Sequence, residues 1–128
     1  MKAISLWQPF ASAIALGLKR FETRHWETKY RGEIVIHAAK KWTPELRVIA
    51  ERGGLGSFEL PRGQVVAIVN ICAIFRTEGI RHVIDPIETL YGDYSDNRFA
   101  WSLCDIRSIK PFPFKGGQGM FNIPDELF

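Results

Sequence analysis

The chain has 128 residues, 46% of them hydrophobic, and a formal net charge of +3. That length suits one domain around one core. No apolar run approaches the ~20 residues of a membrane span, and no basic-then-apolar leader opens the chain, so neither a transmembrane nor a secreted protein is expected. The charge is uneven: residues 1–41 hold eight Lys/Arg against three acids, and the remainder nine against eleven. The basic third also carries Trp7, Trp26, Tyr30 and Trp42. Cations interleaved with aromatics suit a surface that attracts phosphate and stacks bases. An aromatic core under solubilising lysines fits the same composition.

In chain order, residues 3–7 read as a short strand. Pro9 opens a helix, where its missing N–H had no partner to lose. Phe10, Ala13 and Ile14 follow at helical spacing, and Gly17 fits the left-handed residue that ends a helix. Gln8 is a poor N-cap. Its amide either closes the turn or presents a donor and an acceptor to a ligand. In the stretch Gly17 to Trp26, alternation puts Glu22, Arg24 and Trp26 on one side of a strand and Phe21, Thr23 and His25 on the other. Arg31-Gly32 is a turn before a half-buried strand, Glu33 to Ala38. His37 lies within it, either as a hydrogen-bonded structural residue or as a site residue. Residues 44–52 read as a helix with Thr43 as N-cap, Pro44 in first position and Gly53-Gly54 as the stop.

After the turn Arg62-Gly63, Val65 to Phe75 is apolar on both faces, as in an interior strand. Asn70 inside it needs partners. Cys72 and Cys104 fall in apolar runs with no partner at metal spacing. They read as buried free thiols, with a disulfide as the second reading, and so point to a reducing, cytoplasmic compartment. Residues 77–97 are irregular, with a helix around Ile87–Tyr91 and a long loop. Phe99 to Ile109 is another strand, ended by Pro111 and Pro113. Gly116-Gly117-Gln118-Gly119 is a flexible turn before Phe121 and Ile123. Several strands, short helices and glycine turns at this length predict a small β-barrel with helices on its outside.

Several segments together resemble one family. They are Trp7-Gln8-Pro9-Phe10-Ala11, the spacing Gly17-x-Lys19-x-x-Glu22-x-Arg24, and Tyr30-Arg31-Gly32 leading into Ile36-His37-Ala38-Ala39-Lys40. Phe99-Ala100-Trp101 and the closing Gly116-Gly117-Gln118-Gly119-Met120-Phe121 complete the set. The pattern resembles the ASCH (activating signal cointegrator homology) domain over nearly the whole chain. The resemblance implies an α+β, mainly β fold: a PUA-like mixed β-barrel with short helices packed outside. It implies a single stand-alone domain over residues 1–128, with a ligand cleft beside the barrel. Most members are regarded as RNA-binding; some small bacterial ones resemble N4-acetylcytidine amidohydrolases, and others ribonucleases. Lys19 falls at the family's motif lysine and Arg24 at its arginine. Glu22 stands where the amidohydrolase members have threonine. Glu78 and Glu88 are the candidates for their downstream glutamate.

Three functions follow as expectations. The first is a module for RNA, single-stranded nucleic acid or a nucleotide. Its basic, aromatic-lined cleft uses Trp7, Gln8, Lys19, Arg24, Trp26, His37, Lys40 and Lys41. The second is a hydrolase on RNA or a modified nucleoside with Lys19 and Glu22 in the active site. A carboxylate beside Lys19 stabilises the ammonium, which suits phosphate holding or oxyanion stabilisation, with Glu22 as base. The third is a docking domain for a protein partner. No metal, cofactor or membrane is called for. Lys19 is expected to face an open pocket beside Arg24 and to be dispensable for folding.

Overall fold

The computed structural model describes all residues, Met1–Phe128. Six strands form one curled sheet: β1 (Lys2–Leu6), β2 (Phe21–Arg24), β3 (Gly32–Ala38), β4 (Gln64–Arg76), β5 (Phe99–Pro113) and β6 (Phe121–Asn122). Their order is β2-β5-β4-β3-β1-β6. Only β1 and β3 run parallel, pairing Ser5 with His37 in register; the other neighbours are antiparallel. The fold is α+β and mainly β, a mixed half-barrel with short helices outside. The helices are α1 (Phe10–Ala15), α2 (Pro44–Arg52), α3 (Thr77–Ile80) and α4 (Pro86–Leu90). None is long and apolar enough to cross a membrane.

The main core is built from inward residues of the curled sheet, among them Ile4, Ile34, Ile36, Val69, Ile71 and Trp101, with Ala11 and Ile14 of α1 laid against them. A second cluster joins α1 to α2 and α4 through Ala13, Ala50, Leu55 and Tyr91. The helix ends follow their local chemistry. The Thr43 hydroxyl accepts from the Leu46 amide at 3.2 Å, capping α2. Asp85 does the same for the Glu88 amide at 2.8 Å, capping α4. Gly17 takes φ +78° after α1, a value natural only to glycine.

Two expectations are corrected. Cys72 and Cys104 are neither buried nor free. They sit exposed on adjacent strands, Cα atoms 6.2 Å apart, joined as a disulfide. Ordinary alternation puts them there: Val69 and Ile71 turn inward with Cys72 outward, Leu103 turns inward with Cys104 outward, and this outer face of the sheet is open. The inference of a reducing compartment therefore loses its premise. Nor does Pro111 end the last long strand; β5 runs through it and ends at Pro113. The β2 strand pairs only with Phe99 to Ser102, so the distal half of β5 has β4 alone beside it. On a strand with one open edge, a missing N–H breaks no ladder bond.

Trp101 is wholly buried and meets Trp26 edge-on at 4.8 Å between ring centroids. Trp101→Ala is expected to destabilise the fold by about 3–5 kcal/mol through the lost burial and the cavity left behind. Urea unfolding of the variant measures this, and a loss under ~1 kcal/mol would show that the core closes over the gap.

Candidate functional site: a cationic cleft at the rim of the sheet

Two adjoining hollows open beside the end of β1. The larger, about 1140 Å³, is walled by Trp7, Arg24, His37, Lys40, Arg62 and the 113–119 loop. The smaller, about 620 Å³, is walled by Trp7, Phe10, Glu22, Thr23, Arg24, Asp93 and Arg98 among others. Ser5, Trp7 and Arg24 line both, so they form the partition. The larger hollow has four permanent cations in its wall, Arg24, Lys40, Arg62 and Lys115, and no Asp or Glu. In the smaller, Glu22 and Asp93 balance Arg24 and Arg98.

Each cation is placed by its element. The guanidinium of Arg24 is clamped at two points: Nε donates to Glu22 Oε2 at 2.7 Å and Nη2 to the Ser5 carbonyl at 3.0 Å. Its Nη1 donates to nothing in the chain, so it is available to a ligand. Lys40 lies flat over Gly63, where a Cβ would come within 2.9 Å of the lysine Cε. Gly63 takes φ +67°, so this turn favours glycine for its backbone conformation. Trp7 is half exposed, and Lys41 Nζ stands 3.8 Å from its ring centroid, a close cation–π pair.

His37 forms the floor. Its Nε2 lies 2.6 Å from the Phe114 carbonyl and its Nδ1 2.9 Å from Ser5 Oγ. A carbonyl only accepts, so Nε2 carries the proton, Nδ1 is the acceptor and the Ser5 hydroxyl donates to it. Burial pushes the pKa of His37 below its ordinary 6.5, partly opposed by the Phe114 carbonyl.

Other predicted residues go elsewhere. Lys19 does not face a pocket; it is 1% exposed and lines neither hollow. Its Nζ donates to the carbonyls of Phe21 at 2.5 Å and Tyr91 at 2.7 Å, and stands 3.5 Å from Glu22 Oε1. Burial lowers its pKa, with Glu22 and then Glu88 pulling the other way. The reason is local: α1 ends one turn before Lys19, and the chain enters β2 behind the wall that Glu22 and Arg24 present to solvent. Lys19 and Arg24 are thus joined through Glu22 and not across an open space. Gln8 is fully buried and fully used. Its Nε2 donates to Ser12 Oγ and the Pro61 carbonyl, both at 2.7 Å, and its Oε1 accepts from the Ser12 amide at 2.9 Å. It closes the turn into α1 and presents nothing to a ligand. Trp26 packs on Trp101, away from both hollows.

Of the two downstream glutamates, Glu78 is distant from the cleft and bound to Arg76, which holds its carboxyl at about 2. Glu88 is buried near Lys19. One oxygen accepts from the Arg20 amide, the other has no partner, and burial raises its pKa. Sequence reasoning missed Ser5, Arg62 and Lys115. Arg62 was visible only as a turn residue, and pairing Ser5 with His37 requires the strand order.

The fold and this rim site define a small mixed-sheet half-barrel with an electropositive cleft at one edge. The ASCH domain family model matches residues 4–113. The chain belongs to the ASCH domain family. It is similar to the crystal structure of ASCH from Zymomonas mobilis, with a TM-score of 0.63 and 19% identity over 98% of this chain and 88% of that one. A mutant form of the same Zymomonas mobilis protein superposes with a TM-score of 0.61 at 18% identity, covering 98% of this chain and 91% of that one. At such identity the likeness is one of fold. No curated protein sequence matches the chain.

Two outcomes are expected. Lys19→Met should destabilise the protein by about 3 kcal/mol in urea unfolding, since it leaves two buried carbonyls without a donor and Glu22 short of a partner. An unchanged midpoint would mean that Lys19 has no structural role. Second, the unfolded chain takes up a proton on His37 more readily than the folded one, so stability should fall as pH drops below about 6.5 and level off below the folded pKa. Urea midpoints at about pH 7.5 and pH 5.5 test the sign, and a midpoint rising on acidification would contradict it.

Proposed function

We propose that the larger hollow is a binding cleft for single-stranded RNA or a nucleotide, with Arg24, Lys40, Arg62 and Lys115 on the phosphates and Trp7 under a base. The observation that carries this reading is the wall itself, four cations with no acid among them. Four like charges on one concave surface repel one another and raise a local positive potential, which a polyanion relieves. Trp7, half exposed at the partition, offers a stacking face beside those cations. Membership of a family regarded mainly as RNA-binding supports the same reading. Lys41, held against Trp7, adds charge at the rim.

The hydrolase reading built on Lys19 and Glu22 finds less support. A catalytic lysine must reach its substrate, and this one is sealed behind the wall with its protons given to backbone carbonyls. Glu22 reaches the smaller hollow, but one of its oxygens is engaged by Arg24 and the other faces Lys19. A protein partner has no specific observation behind it.

Short single-stranded RNAs titrated at several salt concentrations test the binding reading. Affinity should fall steeply with salt, and Lys40→Ala, Arg62→Ala and Lys115→Ala should each reduce the slope of log K against log salt by about 0.7. Trp7→Ala should weaken binding by about 1–3 kcal/mol with the slope nearly unchanged. Salt-independent binding, or equal affinity in all four variants, would reject the cleft.

A further inference from the structure

Phosphate binding leaves the floor of the cleft unexplained. Ser5 and His37 come from neighbouring parallel strands and are paired in register, yet both line the larger hollow. Ser5 Oγ lies 2.9 Å from Nδ1 of an imidazole whose other nitrogen is tied to a backbone carbonyl at 2.6 Å. This is the relation of a nucleophile, a base and a group that fixes the base's tautomer and orientation. The usual orienting carboxylate is replaced here by the Phe114 carbonyl. Burial keeps the imidazole neutral near pH 7, the state in which a base can take a proton. Developing negative charge would also be met. Arg24 stands on the same partition with Nη1 unengaged, and its Nη2 is bonded to the carbonyl of Ser5 itself. The amides of residues 115–119 donate to nothing within the chain. Gly116 passes so close that a Cβ there would fall 2.5 Å from Ser5 Oγ and 2.7 Å from His37 Cε1. Glycine backbone with free N–H groups next to a serine hydroxyl has the makings of an oxyanion site.

We propose that Ser5 and His37 are a nucleophile–base pair that hydrolyses carboxylic esters whose alcohol part carries phosphate. The phosphate sits on Lys40, Arg62 and Lys115, and the acyl carbon sits above Ser5. Ser5 Oγ attacks that carbon, forming the O–C bond as its proton passes to His37 Nδ1. The carbonyl oxygen becomes an oxyanion facing Arg24 and the Gly116 and Gly117 amides. Collapse breaks the bond to the alcohol oxygen, which leaves with the proton from His37. Water then gives a proton to His37 and its oxygen to the acyl carbon, and collapse of this second tetrahedral species breaks the acyl–Ser5 bond as His37 returns the proton to Ser5 Oγ. The products are a carboxylic acid, which ionises to the carboxylate, and free Ser5. No redox partner is needed. The pair shares the cleft proposed for RNA or a nucleotide, but its chemistry does not depend on nucleic acid being the ligand.

Diisopropyl fluorophosphate is the probe, because it reports an activated serine whatever the natural ester is. Intact-mass and peptide-mapping measurements on the full chain should find one adduct per molecule, on Ser5. It should form on the order of 100-fold faster than on the exposed Ser57 or Ser95. Ser5→Ala, checked for native circular dichroism, should lose the adduct. No adduct, an adduct elsewhere, labelling of Ser5 at the pace of the exposed serines, or an adduct that survives in Ser5→Ala would overturn the proposal. Because labelling is done without RNA, each of these outcomes leaves the binding reading to its own titration.

Discussion

The Glu22 carboxylate is the interaction on which the site depends. It lies between two cations, 3.5 Å from Lys19 Nζ on the inner side and 2.7 Å from Arg24 Nε on the outer. A buried carboxylate with one cation would be a weak anchor, since desolvation offsets much of the attraction. Here the inner ammonium is also held by two carbonyls and the outer guanidinium by a third. Each cation therefore has its hydrogen-bonding geometry fixed by backbone, and the carboxylate is fixed by the two cations. Lys19 ties β2 to the chain that follows α4, and Glu22 passes that rigidity to Arg24. The result is a guanidinium that stands at the partition of the two hollows with little rotational freedom. A pre-set cation loses less entropy on meeting a ligand than a free one.

The larger hollow then collects its cations from distant parts of the chain: Arg24 from β2, Lys40 after β3, Arg62 before β4 and Lys115 after β5. Their convergence is a property of the strand order. β1 lies between β3 and β6, so the ends of β1 and β3 and the segment after β5 meet at one rim. Glu22 offsets Arg24 from behind the wall, while other acids are directed elsewhere, Glu33 to Arg107, Glu78 to Arg76 and Asp96 to Arg81. A modest net charge thus becomes a strongly one-signed cavity.

What could be read in advance divides along a physical line. Features set by local rules were legible: the Thr43 cap, the proline at the start of α2, the left-handed Gly17, the long apolar β4. The family resemblance supplied the barrel. Among the candidate residues, Trp7, Arg24, His37 and Lys40 do lie on one cavity wall. The misplacements share one cause, which is that burial of a polar side chain depends on neighbours far off in sequence. Lys19 meets the Tyr91 carbonyl and Gln8 meets the Pro61 carbonyl, partners that no spacing rule reveals. Cys72 points outward by the same alternation that turns Val69 and Ile71 inward, and its reading as buried came from taking β4 to be covered on both faces. Ser5 had no signal at all. A serine in a short strand becomes notable only once parallel pairing sets it opposite a histidine.

The closing glycine turn shows how tightly the rim is bound to the rest. Phe114 donates its amide to the Gly63 carbonyl and offers its own carbonyl to His37, so the segment is fixed between β3 and the turn before β4. Just beyond, β6 pairs with β1 and the N-terminal ammonium binds the Ile123 carbonyl and Asp125. These contacts hold the chain on the far side of the glycine turn against β1. Gly116 lies in this fastened segment, against Ser5 and His37, with no room for a side chain. A flexible surface turn would need glycine for its backbone conformation. Gly116 has no left-handed φ, so the constraint at this position is space alone. What occupies that space is the hydroxyl and the imidazole on the floor of the cleft, which ties the glycine-rich turn to the Ser5–His37 pair.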